Sequence, residues 1–413
     1  MTAMKTDVLV IGGGPNGLAA SLALGGAALR SPLNIIVIDA RDPRAFALQG
    51  HDTRGTAITR STQSMLQALG VWPALAPHAE EMRHITVTDG KSDFASRPTL
   101  LSFATDPGER AAASIVENRH IAKALLEAVE QSPSIRLIPF TTITNLKTQP
   151  GLAKAVTSTG ETISASLIIA ADGKSSTTRQ SLGIKTMGHS YGQTALSFAV
   201  SHANAHAGTA QEHFSEDGVF AFLPLPGNHA SIVWGTSPAK AAELLALSEA
   251  EFTLALGTKL GRGLGEIKLE GKRVAYSLSL QIAERFIAAR TALVGDAAHA
   301  IHPLAGLGLN LGYKDVAALA DCVADAFARG DDIGGAAALE RYERMRRFDT
   351  LATAIAMEAM NLLFVNDMPI AREIRKFGLQ AVNQLALAKS LLMKEAAGEV
   401  GNLPNLMQGL LPA

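Results

Sequence analysis

The chain has 413 residues, 47% of them apolar and 18% charged, with a formal net charge of −1 from 37 basic and 38 acidic side chains. This balance suits a soluble globular protein of two or three domains with a large core, and it gives the molecule as a whole no pull toward nucleic acid. The lone Cys322 excludes an intrachain disulfide and fits a reducing compartment; with no basic–apolar–small leader and no bilayer-length apolar run, a cytoplasmic protein is expected, membrane-surface contact staying open.

Asp7 to Ile11 (DVLVI) reads as a buried strand running into glycines, Pro15 to Leu29 as an Ala/Leu-rich helix, and Asn34 to Ile38 as a second buried strand with Asp39 behind it. This is a βαβ unit, and it implies a parallel sheet. Ser61 to Leu69 reads as a helix ended by Gly70. Met82 to Ser114 is short and strand-like, broken by Gly90, Pro98 and Pro107; Arg119 to Val129 is helical; Leu167 to Ala170 is an apolar strand leading to Asp172-Gly173. The runs Thr194 to Val200, Val219 to Leu223, Ala230 to Trp234 and Val274 to Leu278 predict most of a second, mixed sheet, completed by the segment near 82–114. Thr291 to Val294 is an apolar strand feeding Gly295-Asp296, and a helix begins near Leu309 after a Pro/Gly-rich turn; beyond Gly312 the chain is mostly helical. The expected fold class is α/β: a Rossmann-like dinucleotide-binding domain (1–72, 115–182, 286–345), interrupted twice by a mixed β-sheet domain (73–114, 183–285), with a helical C-terminal region (346–413).

Three motifs sit on the turns behind these strands. Gly12-Gly13-Gly14-Pro15-Asn16-Gly17 fits G-x-G-x-x-G between strand and helix: Gly12 permits a tight turn, Gly14 lets backbone approach a pyrophosphate, Pro15 opens the helix, and Gly17 lets helix pack on strand. Asp39, 22 residues beyond Gly17, is placed for ribose hydroxyls. The pattern serves FAD and NAD alike. Asp172 to Arg179 (DGKSSTTR) supplies a turn, hydroxyls and a cation; its plainer reading is a helix start capped by Asp172 or Ser175. At Gly295-Asp296 a carboxylate leaves a strand where ribityl hydroxyls would meet it. The helix N-terminus near Leu309 aims free N–H groups and a positive partial charge outward, a place for a ring that becomes anionic on reduction. Fingerprint and downstream run together point to FAD.

In this order the motifs resemble the single-component (group A) FAD-dependent aromatic monooxygenases with a para-hydroxybenzoate-hydroxylase fold. His302 to Asp315 further resembles the signature of the ubiquinone-biosynthesis hydroxylases (UbiH/UbiF/VisC type), H-P-x-A-G-Q-G-x-N-x-G-x-x-D. Asp52 to Ile58 is similar to that family's D-x-R-x-x-A-L segment, Asn118-Arg119 to its FAD-contacting arginine, and Leu391 to Gln408 to its C-terminal end, so the resemblance spans the chain. It implies FAD bound through Gly12, Gly14, Pro15, Gly17 and Asp39 at the ADP half. Arg54, Arg119, Asp172 and Pro303 add cofactor contacts, Gly295 and Asp296 hold the ribityl chain, and Gly308, Leu309 and Asn310 are backbone neighbours of the flavin pyrimidine.

The resemblance also implies NADPH or NADH as reductant, a flavin C4a-hydroperoxide as oxidant, and hydroxylation of a prenylated phenol or quinol on the route to ubiquinone. A quinone-biosynthesis complex and peripheral contact at the inner membrane come with it. A catabolic hydroxylase of a small phenol and a non-catalytic FAD-bound accessory protein are the alternatives. Leu307 stands where the signature has glutamine, which removes a side-chain amide beside the flavin and motivates the second alternative. Phe222, Leu223 and Pro224 are expected on the substrate wall, and no catalytic base is assigned.

The remaining candidates carry less chemistry. His299 with His302 and His202 with His206 have helical spacings but no matching carboxylate or cysteine cluster, so no metal is expected. Cys322 reads as a core thiol, and no G-x-S-x-G elbow is present. Ile370 to Glu395 has five basic residues against two acids; a helix pair packed on the FAD domain is preferred to a helix lying on an anionic bilayer.

Overall fold

A computed structural model gives the fold and describes residues 3–26, 32–48, 54–89, 99–106, 108–215, 218–261, 263–301, 306, 308–365 and 393–412. The first sheet is built on β1 (Ala3–Ile11), which pairs in parallel with β2 (Ile35–Ile38) on one side and β11 (Thr162–Ala170) on the other. β8 (Ile135–Ile138) extends it beyond β2, and β18 (Thr291–Leu293) with β17 (Ile287–Ala288) extends it beyond β11. A hairpin of β9 (Ile143–Gln149) and β10 (Leu152–Thr157) joins through β11.

Side-chain alternation divides this sheet's contacts. Val8 and Val10 face a core shared with α1 (Pro15–Gly25), α5 (Asn118–Gln131) and α9 (Gly308–Ala328), whereas Leu9 and Ile11 face a smaller core closed by β9 and β10. α1 is buried continuously from Gly17 to Gly25, which explains its all-round Ala/Leu/Gly composition.

The second sheet has the order β19-β16-β12-β15-β14-β13-β5-β6. Its strands are β5 (His84–Asp89), β6 (Thr99–Ala104), β12 (Thr186–His202), β13 (Thr209–Ser215), β14 (Gly218–Leu225), β15 (His229–Thr236), β16 (Ile267–Ala283) and β19 (His299–Ala300). All neighbours are antiparallel except β13 and β5. A third, small sheet combines β3 (Gly55–Thr59), β7 (Ala113–Glu117) and β4 (Ala79–Glu81). The strand-like stretch at 82–114 is therefore shared between two sheets.

The short helices are α2 (Pro43–Leu48), α3 (Arg60–Ala68), α4 (Trp72–Leu75) and α6 (Thr177–Ser181); α10 (Ala336–Val365) follows α9. Two helices were not expected from sequence: α7 (Pro238–Ala246), capped by Ser237, and α8 (Glu249–Leu260), started by a Ser248/Glu251 capping box. They cover the back of the second sheet, where Phe198, Phe222, Ile232 and Trp234 pack on Leu244, Phe252 and Leu256. No helix of the described residues is long and apolar enough to cross a membrane.

Phe252 is fully buried, meets Phe198 edge-on at 5.0 Å, and lies under the Arg273 guanidinium at 4.6 Å. Phe252→Ala is expected to cost about 3–5 kcal/mol, the range for truncating a buried aromatic. Urea unfolding followed by tryptophan fluorescence measures it; a loss below about 1 kcal/mol would contradict this packing.

Candidate active site between the glycine turns and a sheet face

The first glycine turn is held by steric necessity. Gly12 has φ +110°, and a Cβ there would lie 2.3 Å from the Ala171 carbonyl oxygen; a Cβ at Gly17 would lie 1.9 Å from the Gly12 carbonyl oxygen. Gly14, by contrast, would place a Cβ in open space. The Gly13 N–H donates to Asp39 Oδ2 at 2.7 Å and the Arg41 N–H to Oδ1 at 2.7 Å, so Asp39 braces the turn from behind. Asn16 presses its amide against Gly295 and Gly312, where any Cβ would come within 2.6 Å of it. Its buried Oδ1 has no partner among the described residues.

The second turn, Gly295 to Ala297, is anchored by charge. Asp315 on α9 is completely buried. Its Oδ2 accepts the Gly295 N–H at 3.0 Å and bonds His299 Nε2 at 2.6 Å, while Oδ1 accepts Arg346 Nε–H at 2.7 Å. Arg346 also pairs with Asp349, which Lys314 meets at 2.9 Å. Burial works to raise the Asp315 pKa, but the charges of His299 and Arg346 outweigh it and hold this carboxyl below its ordinary value. Asp296, next to Gly295, faces the open cavity. Enclosure by protein raises its pKa, and His299, Lys174 and Arg54 oppose that only in part.

These turns open on a cavity of about 780 Å³ whose opposite wall is the front of the second sheet. One registered row of that sheet lines it: Ser197, Val233, Ala221, Glu212, Val87 and Leu101, contributed in order by β12, β15, β14, β13, β5 and β6. Five inter-strand steps of about 4.8 Å give the row a span of roughly 24 Å. Met357 and Met360 of α10 close its outer end. β3 touches the inner end, where the Gly55 N–H donates to Ser231 Oγ at 2.7 Å and Arg54 lies 5.8 Å from the centre of the Tyr276 ring.

Of the residues singled out in the sequence, Gly14, Pro15, Arg54, Asp296, Gly308 and Leu309 line this cavity together. Gly12, Gly17 and Gly295 shape its turns without lining it. Pro303 and Leu307 lie outside the described residues. Asn310 turns its side chain away: its amide donates to the Ala57 carbonyl at 2.7 Å, and its Oδ1 accepts the Thr59 N–H at 3.1 Å, clamping β3 to α9. Asp172 is a capping residue, accepting the Thr178 N–H at 3.0 Å and the Ser176 hydroxyl. The N-cap of α6 is Ser176 and not Asp172 or Ser175. Arg119 does not line the cavity; its guanidinium meets Glu117 at 2.7 Å.

The expectation for Phe222 and Pro224 is corrected. Both are buried on the back of β14, and only Leu223 faces the cavity, because side chains alternate along a strand. Sequence reasoning missed Asn16, Asp315, Arg346 and Arg179. Buried Arg179 donates to the Ala297 carbonyl at 2.8 Å and to the Lys174 carbonyl at 2.9 Å, joining the middle motif to the Gly295 turn.

A family model described as an FAD binding domain matches residues 5–357. The chain belongs to this FAD-binding family. Among curated relatives, ubiquinone hydroxylase UbiL of Rhodospirillum rubrum is 38% identical over 411 residues, covering 98% of this chain and 93% of that protein. The 3-demethoxyubiquinol 3-hydroxylase of Escherichia coli is 32% identical, covering 96% of this chain and 100% of that one. Among solved structures, p-nitrophenol 4-monooxygenase PnpA of Pseudomonas putida superposes with a TM-score of 0.77 at 18% identity, covering 98% and 100% of the two chains, a likeness of fold. The residues present suit FAD: space at Gly14 and Gly308 for close backbone approach, an orphaned Asn16 oxygen in the groove, and a carboxylate at Asp296 facing the same space.

The buried network predicts an acid-sensitive fold. A carboxyl held below its ordinary value stabilises fully above about pH 4 and loses that contribution as pH falls through its folded value. Arg346→Met removes one of the two charges holding Asp315 down. It is expected to cost about 3–5 kcal/mol at pH 7 and to move the onset of acid destabilisation to higher pH. Urea unfolding between pH 2 and 7 checks both; an unchanged acid limb with a loss below about 1 kcal/mol would show the network to be dispensable.

Proposed function

We propose that this protein is an FAD-dependent monooxygenase that uses NAD(P)H and O2 to hydroxylate the ring of a prenylated phenol or quinol in ubiquinone biosynthesis. The observation that carries the reading is the single cavity joining the glycine turns to a long, largely apolar sheet face. Membership of the FAD-binding family and the ubiquinone hydroxylases among its relatives support the same conclusion. Bound FAD would supply the redox chemistry, the oxidation of NAD(P)H and the activation of O2.

The chain's own residues bind, orient and exclude water. Gly14 and Pro15 offer backbone at the start of α1 to a pyrophosphate, with Asp39 behind them for ribose. Asp296 would take the ribityl hydroxyls, and Arg54, just before β3, would face the cofactor. Gly308 and Leu309 present the N-terminus of α9, whose partial positive charge favours the reduced ring. Residues 1–72, 115–182 and 286–345 serve as the flavin half and 73–114 and 183–285 as the substrate half; of the C-terminal region expected at 346–413, residues 346–365 are helical and 366–392, with most of the basic segment Ile370 to Glu395, lie outside the described residues.

A row of roughly 24 Å is far longer than one aromatic ring, which favours a substrate with an isoprenoid tail over a small catabolic phenol. The ring sits beside Leu223 and Val233 at the β3 end, and the tail runs over Val87 and Leu101 toward Met357. Such a substrate partitions into lipid, so we place the enzyme at a membrane surface and in contact with other quinone-biosynthesis proteins.

Purified protein is expected to be yellow and to consume NAD(P)H and O2 together when given a prenylated phenol. A deletion strain is expected to accumulate an under-hydroxylated ubiquinone precursor, detected by mass spectrometry. Colourless protein that FAD does not reconstitute, or a normal quinone profile in the deletion strain, would overturn the reading. Asp296→Ala is expected to weaken FAD binding about 10- to 100-fold, the value of a charge-assisted hydrogen bond, by fluorescence titration of apoprotein. An unchanged affinity would remove Asp296 from the cofactor site.

A further inference from the structure

We propose that the Ser197 hydroxyl is the hydrogen-bond partner of an oxygen substituent on the substrate ring, making it a specificity residue at the flavin end of the cavity. The inference rests on the function proposed above and assigns the polar contact that orients the ring.

Ser197 lines the cavity from the middle of β12 and is only 1% exposed, yet its Oγ has no hydrogen-bond partner among the described residues. A buried hydroxyl left without a partner is unfavourable and uncommon in folded proteins. A comparable hydroxyl on the same face, Ser231, is already engaged by the Gly55 N–H. Ser197 pairs across the sheet with Val233, whose strand also carries Ser231 two residues away. Tyr276, which pairs with Ala195, reaches the same region and lies beside Arg54. The orphaned hydroxyl therefore sits where the sheet face meets β3 and the glycine turns, the place where a ring bound beside the cofactor would lie.

The chemistry of the wall narrows the ligand. Val233, Ala221 and Leu223 offer only apolar surface around this point. A serine hydroxyl both donates and accepts, so it serves a phenolic O–H or a ring carbonyl. A ring turned so that its oxygen points elsewhere would leave the hydroxyl unpaired. A site built this way discriminates against the analogue that lacks the oxygen more sharply than an apolar pocket discriminates by size. Because no described residue bonds Oγ, its removal is expected to leave the fold unharmed, unlike removal of an ordinary buried serine hydroxyl.

The test uses the full-length, FAD-loaded protein and two probes, 2-geranylphenol and geranylbenzene, which differ by the ring hydroxyl. Affinities are read from perturbation of the flavin absorption spectrum. Wild type is expected to bind the phenol about 3- to 10-fold more tightly than the hydrocarbon, the range a single neutral hydrogen bond supplies. Ser197→Ala is expected to abolish that preference while leaving geranylbenzene affinity and Tm unchanged, and Ser197→Thr to restore it. A preference retained in Ser197→Ala, or a Tm lowered by several degrees, would overturn the assignment, the latter by showing that the hydroxyl serves the fold. Wild-type protein that neither binds nor hydroxylates any prenylated phenol would instead bring down the proposed function, and this inference with it.

Discussion

One buried carboxylate fixes the geometry of the site to the rest of the fold. Asp315 accepts the Gly295 N–H, the His299 ring and the Arg346 guanidinium with no solvent to share the load. Through Arg346 it is coupled to Asp349 and Lys314, and Lys314 also donates to the Val400 carbonyl at 3.3 Å. The turn before Asp296, helices α9 and α10, and the C-terminal segment therefore share one electrostatic knot. Gly295 has φ +58° and Asn16 packed where a Cβ would lie, so only glycine serves at this turn.

Stability alone does not explain such a knot. Well-packed apolar residues of similar volume would hold α9 and α10 together as well or better, because desolvating charges costs much of what their attraction returns. They would not, however, accept a backbone N–H at a fixed angle. The directional bond to Gly295 is what the carboxylate supplies, and it aims Asp296 into the cavity. The same helix that carries Arg346 carries Met357 and Met360 about three and about four turns later, on the cavity wall. α10 thus ties the turn proposed for the ribityl chain to the far end of the proposed substrate space along one rod.

How much of this was legible in the sequence follows from the range of each signal. The βαβ unit was readable because a strand buried on both faces is a continuous apolar run, and Asp7 to Ile11 and Asn34 to Ile38 show it plainly. The glycine turns were readable because their constraint is local. The hairpin of β9 and β10, with polar residues on most of its outer face, gave no such run. Helices α7 and α8 were missed although Ser248 and Glu251 form a capping box, since the surrounding strand-like segments dominated the reading. Asp315 was visible as the last letter of a motif, but its role was not. Its partners lie 16, 20 and 31 residues away and meet only when α9, α10 and the Gly295 turn are packed. Phe222, Leu223 and Pro224 cannot form one surface, because consecutive strand residues face opposite sides of the sheet.

Side-chain parity along each strand sets the cavity wall. Along β14, Val219, Ala221 and Leu223 face one way, and Phe220 and Phe222 face the other, into the core under α7 and α8. A slip of one residue in the pairing of β14 would drive Phe222 into the cavity and leave Ala221 in a space shaped for a phenyl ring. Phe198 and Trp234 impose the same parity on β12 and β15. The aromatic core behind the sheet therefore fixes, strand by strand, which side chains face the cavity in front. Ser197 is presented to that cavity because Leu196 and Phe198, its two neighbours in the chain, are committed to the opposite side.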